Sequence, residues 1–499
     1  MEAKVLLENG PYMNTAGSAT GNASTLIQGP YRIPNADIEG WSVATNNGMT
    51  GSLRGFGVVE PMFACESNMD KLAAMLEMDP TELRRKNAMQ QGERWIFNQL
   101  MDRPAPVEEV IDECLSMPMP AELDLDAPDA RLPGGVCTPT RPRDVVRGVA
   151  LSAAAKNVCL SEGAPVETTA LVRLRDGRVS VTCSAAEVGQ GFVTVAIQVA
   201  QTALGISDVQ INATSDTTLP PATTTDGQEQ TMASGGAVAK ASTALKKRFL
   251  EFCQHEYRWS ETKLDIRDDY IVNERGEPLM SVEQAGMGLE FRATETFAVR
   301  RTRPIDELDS EHPMHVTFNF SASRCVVDVD PELGLVRVVQ MDVAQDAGRV
   351  VNPAQAAGQI RGGALMGMGL ATMENLQAHD GHILNPGWET YLVPSTVDAP
   401  TINVRFLENA EPGVPYGMRG IAELPHVQAP PAVMAAIRAA IGRQLSRMPA
   451  SLDTVSGVTS GYQPVQIVSA GQPPTRGPWK AASTRGEYGP WRAQVPGRD

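Results

Sequence analysis

The stretch ALVRLRDGRVSVTCSA (170–185) alternates apolar and polar side chains on both sides of Asp176-Gly177. An Asp-Gly pair between two alternating runs predicts a tight hairpin, because both central turn residues then take positive φ. CVVDVDPELGLVRVVQMDV (325–343) repeats the plan around Gly334. Helical periodicity follows each ribbon. After the first, EVGQGFVTVAIQVAQTALGI places Val193, Ala196, Ile197, Ala200 and Leu204 on one face, with Gly205 as the C-cap. After the second, GQIRGGALMGMGLATMENL reads as a glycine-rich helix. The fold class expected is α+β, with mixed sheets and packed helices.

A chain of 499 residues exceeds what one small core needs, so more than one domain is expected. A helix is predicted over 61–77, with Met62, Met69, Leu72, Ala73 and Leu76 on its apolar stripe. Asp79, Pro80 and Glu82 then open a second helix as N-cap, first-turn proline and N3 acid. Residues 1–50 carry little apolar periodicity, an odd start for a free-standing domain. Residues 117–143 are crowded with Pro, Asp, Ala and Gly and read as a linker between a region 1–116 and a region 144–450. Residues 451–499 read as an extended tail that wraps a neighbour or is partly disordered.

The net charge of −16 argues against a nucleic-acid or anionic-membrane partner. No apolar window reaches the ~18 residues of a membrane span, and 1–15 lack a signal-peptide pattern. Seven scattered cysteines suggest reduced thiols and a cytoplasmic location. None form CxxC, so a structural zinc or an iron–sulfur cluster within this chain is not expected.

Several stretches could carry chemistry. Gly189-Gln190-Gly191, between a strand and a helix, would let an anion approach free N–H groups at a positive helix end, although such turns are often only structural. The glycines at 362, 363, 367 and 369 imply either close approach of a ligand or tight helix packing, since each costs about 1 kcal/mol relative to Ala. Arg54 and Phe56 lie in a glycine-flanked turn, where the ring either stacks on a flat ligand or plugs the core. The polar loop PPATTTDGQEQTMASGGAV offers hydrogen bonds to a cofactor or is plain surface. His312 and His315 have no acidic or Cys partner in register, which disfavours a metal role. In GMRGIAELPHVQAPPAV (417–433), Glu423 is an acid with no cation closer in sequence than Arg419. The turn there is expected to lead into a helix from about Pro430–Pro431 to Gly442.

Taken in order, five motifs resemble the molybdenum-cofactor-binding subunit of the xanthine oxidase family. They are Arg54-Gly55-Phe56-Gly57; Glu187-Val188-Gly189-Gln190-Gly191; Asp346-Ala347-Gly348 with Asn352-Pro353; Gly358-Gln359 with Gly362-Gly363; and Gly417 to Pro431. The resemblance implies molybdopterin-binding domains, the end of a first in 1–116 and a second in 144–450. It implies a molybdenum-dependent oxidoreductase that hydroxylates an aromatic, N-heterocyclic or aldehyde substrate with water-derived oxygen. Glu423 would be the general base. Arg54, Val188, Gly189, Gln190, Gly227, Gln228, Glu229, Gln230 and Gln359 would bind the cofactor, and Phe56 the substrate. No protein ligand to the metal is implied. The cofactor would be molybdopterin with molybdenum, its cytosine dinucleotide form left open.

Because the resemblance covers only the later part of the family's large subunit, a split arrangement is expected. A second chain would carry the earlier half, an iron–sulfur subunit the [2Fe-2S] clusters, and a flavin subunit FAD. Two departures bear on substrate: Asn22 falls where purine-hydroxylating members have an arginine, and Cys159 where they have an aromatic. Reductive aromatic dehydroxylation and a non-catalytic scaffold role are the alternatives.

Overall fold

The computed structural model describes residues 1–123, 132–135, 139–220, 222, 224–260, 263–307 and 312–457, and the backbone of 491–494. The rest of the expected linker and tail lies outside the described residues.

Both expected hairpins form. Glu167–Arg175 pairs antiparallel with Arg178–Cys183 around Asp176 (φ 52°) and Gly177 (φ 78°). Thr317–Asp330 pairs antiparallel with Leu335–Asp346 across the Gly334 turn. Each hairpin seeds a four-stranded mixed sheet. In the first sheet the strand order is 290–298, 167–175, 178–183, 209–213, and the helices Phe192–Leu204 and Gln230–Glu256 pack on it. In the second the order is 401–407, 335–346, 317–330, 146–158. All residues of Thr317–Asp330 are buried, because this strand is covered on both faces. Phe318, Phe320 and Ala322 face the core shared with helix Val107–Ser116, whereas Cys325, Val327 and Val329 face the core shared with helix Leu424–Ile441.

The helices expected at 61–77 and after Asp79 form over Val59–Met75 and Pro80–Lys86. The Asp79 carboxylate accepts from Thr81 N (2.8 Å) and Glu82 N (2.9 Å). Residues 1–50 hold more order than their pattern suggests: strands Glu2–Glu8 and Asp37–Val43 pair in parallel, and helix Ala16–Leu26 is buried from Ala19 onward. The backbone of Trp491–Gln494 adds an antiparallel strand to that pair.

One expectation fails. The last long helix begins at Leu424, and Pro430 and Pro431 lie inside it. Pro425, in the first turn, is the proline that belongs at a helix start. The two interior prolines remove donors that would have bonded the carbonyls of His426 and Val427. The neighbouring helix Pro353–Thr372 packs on that turn: a Cβ at Gly367 would stand 2.8 Å from His426 O and 2.9 Å from Pro430 Cδ. Tight helix packing therefore accounts for Gly367 without a ligand.

Candidate functional site

Four helices, beginning at Phe192, Gln230, Pro353 and Leu424, start around one cavity of about 680 Å³. Helix N-termini carry free N–H groups and partial positive charge, so their convergence favours an anionic ligand. The volume lies in the range of about 300–1,000 Å³ usual for small-molecule and cofactor sites.

Arg54, Phe56, Val188, Gln190, Gly227, Gln228, Gln230, Gln359 and Glu423 all line this cavity. Gly189 is at the exposed apex of the turn between Val188 and Gln190, and a Cβ there would meet nothing within 4 Å. Glu229 is not at the surface of the cavity. It is fully buried behind it, where its Oε2 accepts from Leu160 N at 3.4 Å.

The GQG turn is held from within. The Glu187 carboxylate accepts from the N–H groups of Gly189 (2.8 Å), Gly191 (3.1 Å) and Val193 (2.9 Å). Partial burial raises its pKa, but these backbone donors outweigh that effect and hold the carboxyl below its usual range. The Gln190 side chain folds back, accepting from Val188 N and donating to Ala186 O. The Gln190 backbone carbonyl accepts from Gln359 Nε2 at 3.3 Å, joining this turn to the glycine-rich helix.

Arg54 crosses the base of the site. Its Nη2 donates to Gln359 O (2.9 Å) and Oε1 (3.3 Å), and its Nε to Ala422 O. A Cβ at Gly363 would stand 3.1 Å from Arg54 Nη2, so this glycine makes room for the guanidinium as well as for Pro425. Burial pulls the Arg54 pKa below its usual range, and Glu423 opposes the shift.

Glu423 is the N-cap residue of the last helix and only 7 % exposed. Its Oε1 accepts from Gly55 N at 3.1 Å, and its backbone N donates to Gln228 Oε1 at 3.1 Å. Lys156 Nζ stands 3.2 Å from Oε2, but outside hydrogen-bond geometry, so among the described residues Oε2 accepts no hydrogen bond. The ammonium donates instead to Asn157 Oδ1 (2.5 Å). Lys156 is a residue that the motifs did not single out. Its signal was a single lysine in the otherwise small and apolar run LSAAAKNV, which is now a strand.

A smaller cavity of about 120 Å³ opens on the other side of Phe56 and shares Phe56, Asp226, Gly227 and Glu423 with the larger one. Asn22 and Cys159 both line it. Asn22 Nδ2 donates weakly to Phe56 O at 3.5 Å. Phe56 has φ 44°, an uncommon conformation for a bulky side chain, and is half-buried at the seam.

Glu162, also unforeseen, lines the smaller cavity, and burial pushes its pKa up to about 7. A carboxyl raised in the folded state contributes stability below its unfolded pKa that is lost as pH rises through about 7. Glu162→Gln is therefore expected to raise the melting temperature more at pH 8 than at pH 5. Equal shifts at both pH values would contradict this.

His315 is a core residue: it is fully buried, its Nδ1 is 2.7 Å from Ser161 Oγ, and burial followed by Lys156 lowers its pKa to about 3. Among the described residues no group of three or more His, Cys, Asp or Glu could hold a metal ion, and no helix is long and apolar enough to cross a membrane.

The family described as molybdopterin cofactor-binding domain matches residues 138–400, and a second family of the same description matches 1–88. The chain is 28% identical over 458 residues to a probable xanthine dehydrogenase component of Bacillus subtilis, covering 90% of this chain and 58% of that protein. It is 26% identical to the nicotine 6-hydroxylase large subunit of Paenarthrobacter nicotinovorans, covering 91% and 56%. It thus spans just over half the length of these relatives. Among solved structures, quinoline 2-oxidoreductase from Pseudomonas putida 86 superposes with a TM-score of 0.73 at 22% identity, covering 91% of this chain and 59% of that one. The aldehyde oxidoreductase from Desulfovibrio gigas gives 0.71 at 24%, covering 91% and 47%.

Proposed function

Since the chain belongs to the molybdopterin cofactor-binding family, in its xanthine oxidase branch, we propose that it is the cofactor-binding part of the catalytic subunit of a molybdenum hydroxylase, with Glu423 as general base. The observation that carries the reading is the free Glu423 Oε2, held beside a cation where the two cavities join.

The residues of the larger cavity suit molybdopterin. Converging helix N-termini favour its phosphate, and the buried Gln355 Oε1 in the lining has no donor among the described residues, as a group awaiting a polar ligand would. Val188, Gly189, Gln190, Gly227, Gln228, Gln230 and Gln359 would hold the pterin and phosphate, with Arg54 beside the metal. Bound there, the molybdenum centre supplies the two-electron oxidant.

The chain's own residues do the rest. Gly55 N fixes Oε1, which leaves Oε2 to take a proton at the seam. Lys156 Nζ, 3.2 Å from Oε2, flanks that oxygen at the seam. Phe56 offers a ring face to a flat substrate. Asn22 and Cys159, in place of an arginine and an aromatic, disfavour xanthine and suit another N-heterocycle, an aromatic or an aldehyde. The remaining part of the family's large subunit would close the site, and iron–sulfur and flavin subunits would carry the electrons away.

The test is to purify the native complex and measure molybdenum, iron and flavin together with the co-purifying chains. An active complex without molybdenum would refute the reading. A narrower test is Gly420→Ala. A Cβ at this position would stand 1.5 Å from Gln228 O, so the 227–230 loop must move. Overpacking of this kind costs about 1–3 kcal/mol. Lower molybdenum occupancy is expected alongside the loss of stability; full occupancy would exclude the loop from cofactor binding.

A further inference from the structure

Besides Glu423 and Asp226, the smaller cavity holds the carboxylate of Glu162, for which the described residues offer no hydrogen bond or ion pair. Its position is built rather than incidental. Glu162 lies at φ 60° in the turn leaving strand Val146–Val158, just after Cys159 at φ 70°. A bulky residue at positive φ costs of order 1–3 kcal/mol and persists only where its surroundings hold it. Here Glu162 N donates to Met314 O (3.0 Å), Gly163 N to Thr302 Oγ1 (3.0 Å), and Asn157 Nδ2 to Ser161 Oγ (2.9 Å). The turn directs the side chain at the buried helix Ala16–Leu26, where a Cβ at Gly21 would stand 2.9 Å from Glu162 Oε1. The helix has a glycine where any other residue would crowd this carboxylate.

The charges around the cavity are unequal. Glu162, Asp226 and Glu423 line it against one ammonium, Lys156, which is already engaged by Asn157 and Glu423. An anionic substrate would meet two carboxylates more than it meets cations. A neutral ring without a donor would bury Glu162 unpaired, which costs more than an exposed mismatch. The volume, about 120 Å³, is close to that of cavities known to admit a single benzene ring (about 150 Å³).

We propose that Glu162 selects the substrate: the chamber takes a single six-membered ring whose edge remote from Glu423 bears a nitrogen-bound hydrogen, as in an amidine, a lactam N–H or a protonated ring nitrogen. The proposal rests on reading Glu423 as the group at the reacting end. Phe56 and Asn22 flank the ring, and Glu162 accepts the hydrogen bond.

The test is binding without turnover. The cofactor-loaded complex is titrated calorimetrically at pH 8, above the Glu162 pKa of about 7, with benzamidine, benzoate and anisole in the absence of an electron acceptor. Benzamidine is expected to bind at least about tenfold more tightly than the other two, the size of one charge-assisted hydrogen bond. Glu162→Gln should lose about that factor for benzamidine and not weaken anisole, while Glu162→Asp keeps the order of preference. Equal binding of the three probes by the unaltered complex, or undiminished benzamidine binding by Glu162→Gln, would overturn the proposal. Failure of the Glu423 assignment is read separately, from turnover of its own variant, so the two cannot be confused.

Discussion

Glu423→Gln is expected to retain molybdenum and pterin yet lose about 10²-fold or more in turnover, the low end of what a positioned general base contributes. The substitution keeps the shape of the side chain, and its remaining oxygen can still accept from Gly55 N. What disappears is the charge and the ability to take a proton. A stability effect accompanies the change, because Lys156 is 1 % exposed and would lose its nearest anion. Removing one partner from a buried ion pair costs about 3–5 kcal/mol. Lys156→Met in the same chain separates the two effects. The double variant is expected to regain much of the lost stability and none of the turnover. Near-normal turnover in a fully molybdenum-loaded Glu423→Gln complex would remove Glu423 as the base.

The hairpins, the helices after Gly191 and Asp79, and the Gly205 cap were legible because their signals are local. Each depends on side chains a few residues apart, and the structure repeats them almost residue for residue. Helix Ala16–Leu26 was not legible. Its buried residues are Ala, Gly, Ser, Thr and Asn, with Leu26 the one large apolar side chain, which leaves no apolar stripe to read. The start of the last helix was misjudged because three prolines compete for one signal, and only contact with Gly367 shows which two the helix tolerates. In the site, the glycine motifs marked which loops meet but not the charges they meet. The cation beside Glu423 is Lys156, on strand Val146–Val158 and far away in sequence, rather than Arg419 four residues away. Glu162 has no motif at all. It becomes visible only when the turn after Cys159 is folded against Gly21.

Arg419 has a different task, and its removal is the other change with a large expected effect. Its Nε pairs with Glu411 Oε2 at 3.0 Å, its Nη1 with Asp346 Oδ2 at 2.5 Å, and its Nη2 donates to Asn409 O at 3.1 Å. All three charged side chains are at most 4 % exposed. Burial pushes the Asp346 carboxyl above its usual range, and Arg419 is the chief opposing influence. Gly420 O and Ile421 O accept from Asn319 and Gln345, so the segment leading to Glu423 is pinned to two strands just where this arginine sits. Arg419→Ala is expected to cost about 3–5 kcal/mol at pH 8, as for any broken buried pair.

The two carboxylates would not suffer equally. Glu411 keeps Arg103 (3.1 Å) and Thr317 Oγ1 (2.9 Å), whereas Asp346 keeps Asn409 Nδ2 at 3.3 Å and a backbone donor. Adding Asp346→Asn should therefore restore more stability than adding Glu411→Gln, as read from denaturant midpoints. The deficit should also shrink toward pH 5, because an acid whose folded pKa is raised destabilises the fold only as pH rises and it ionises. Equal rescue by the two second-site changes would mean that the arginine's hydrogen bonds to Asn409 and Phe318 carbonyls, rather than its charge on Asp346, hold the Glu423 segment in place.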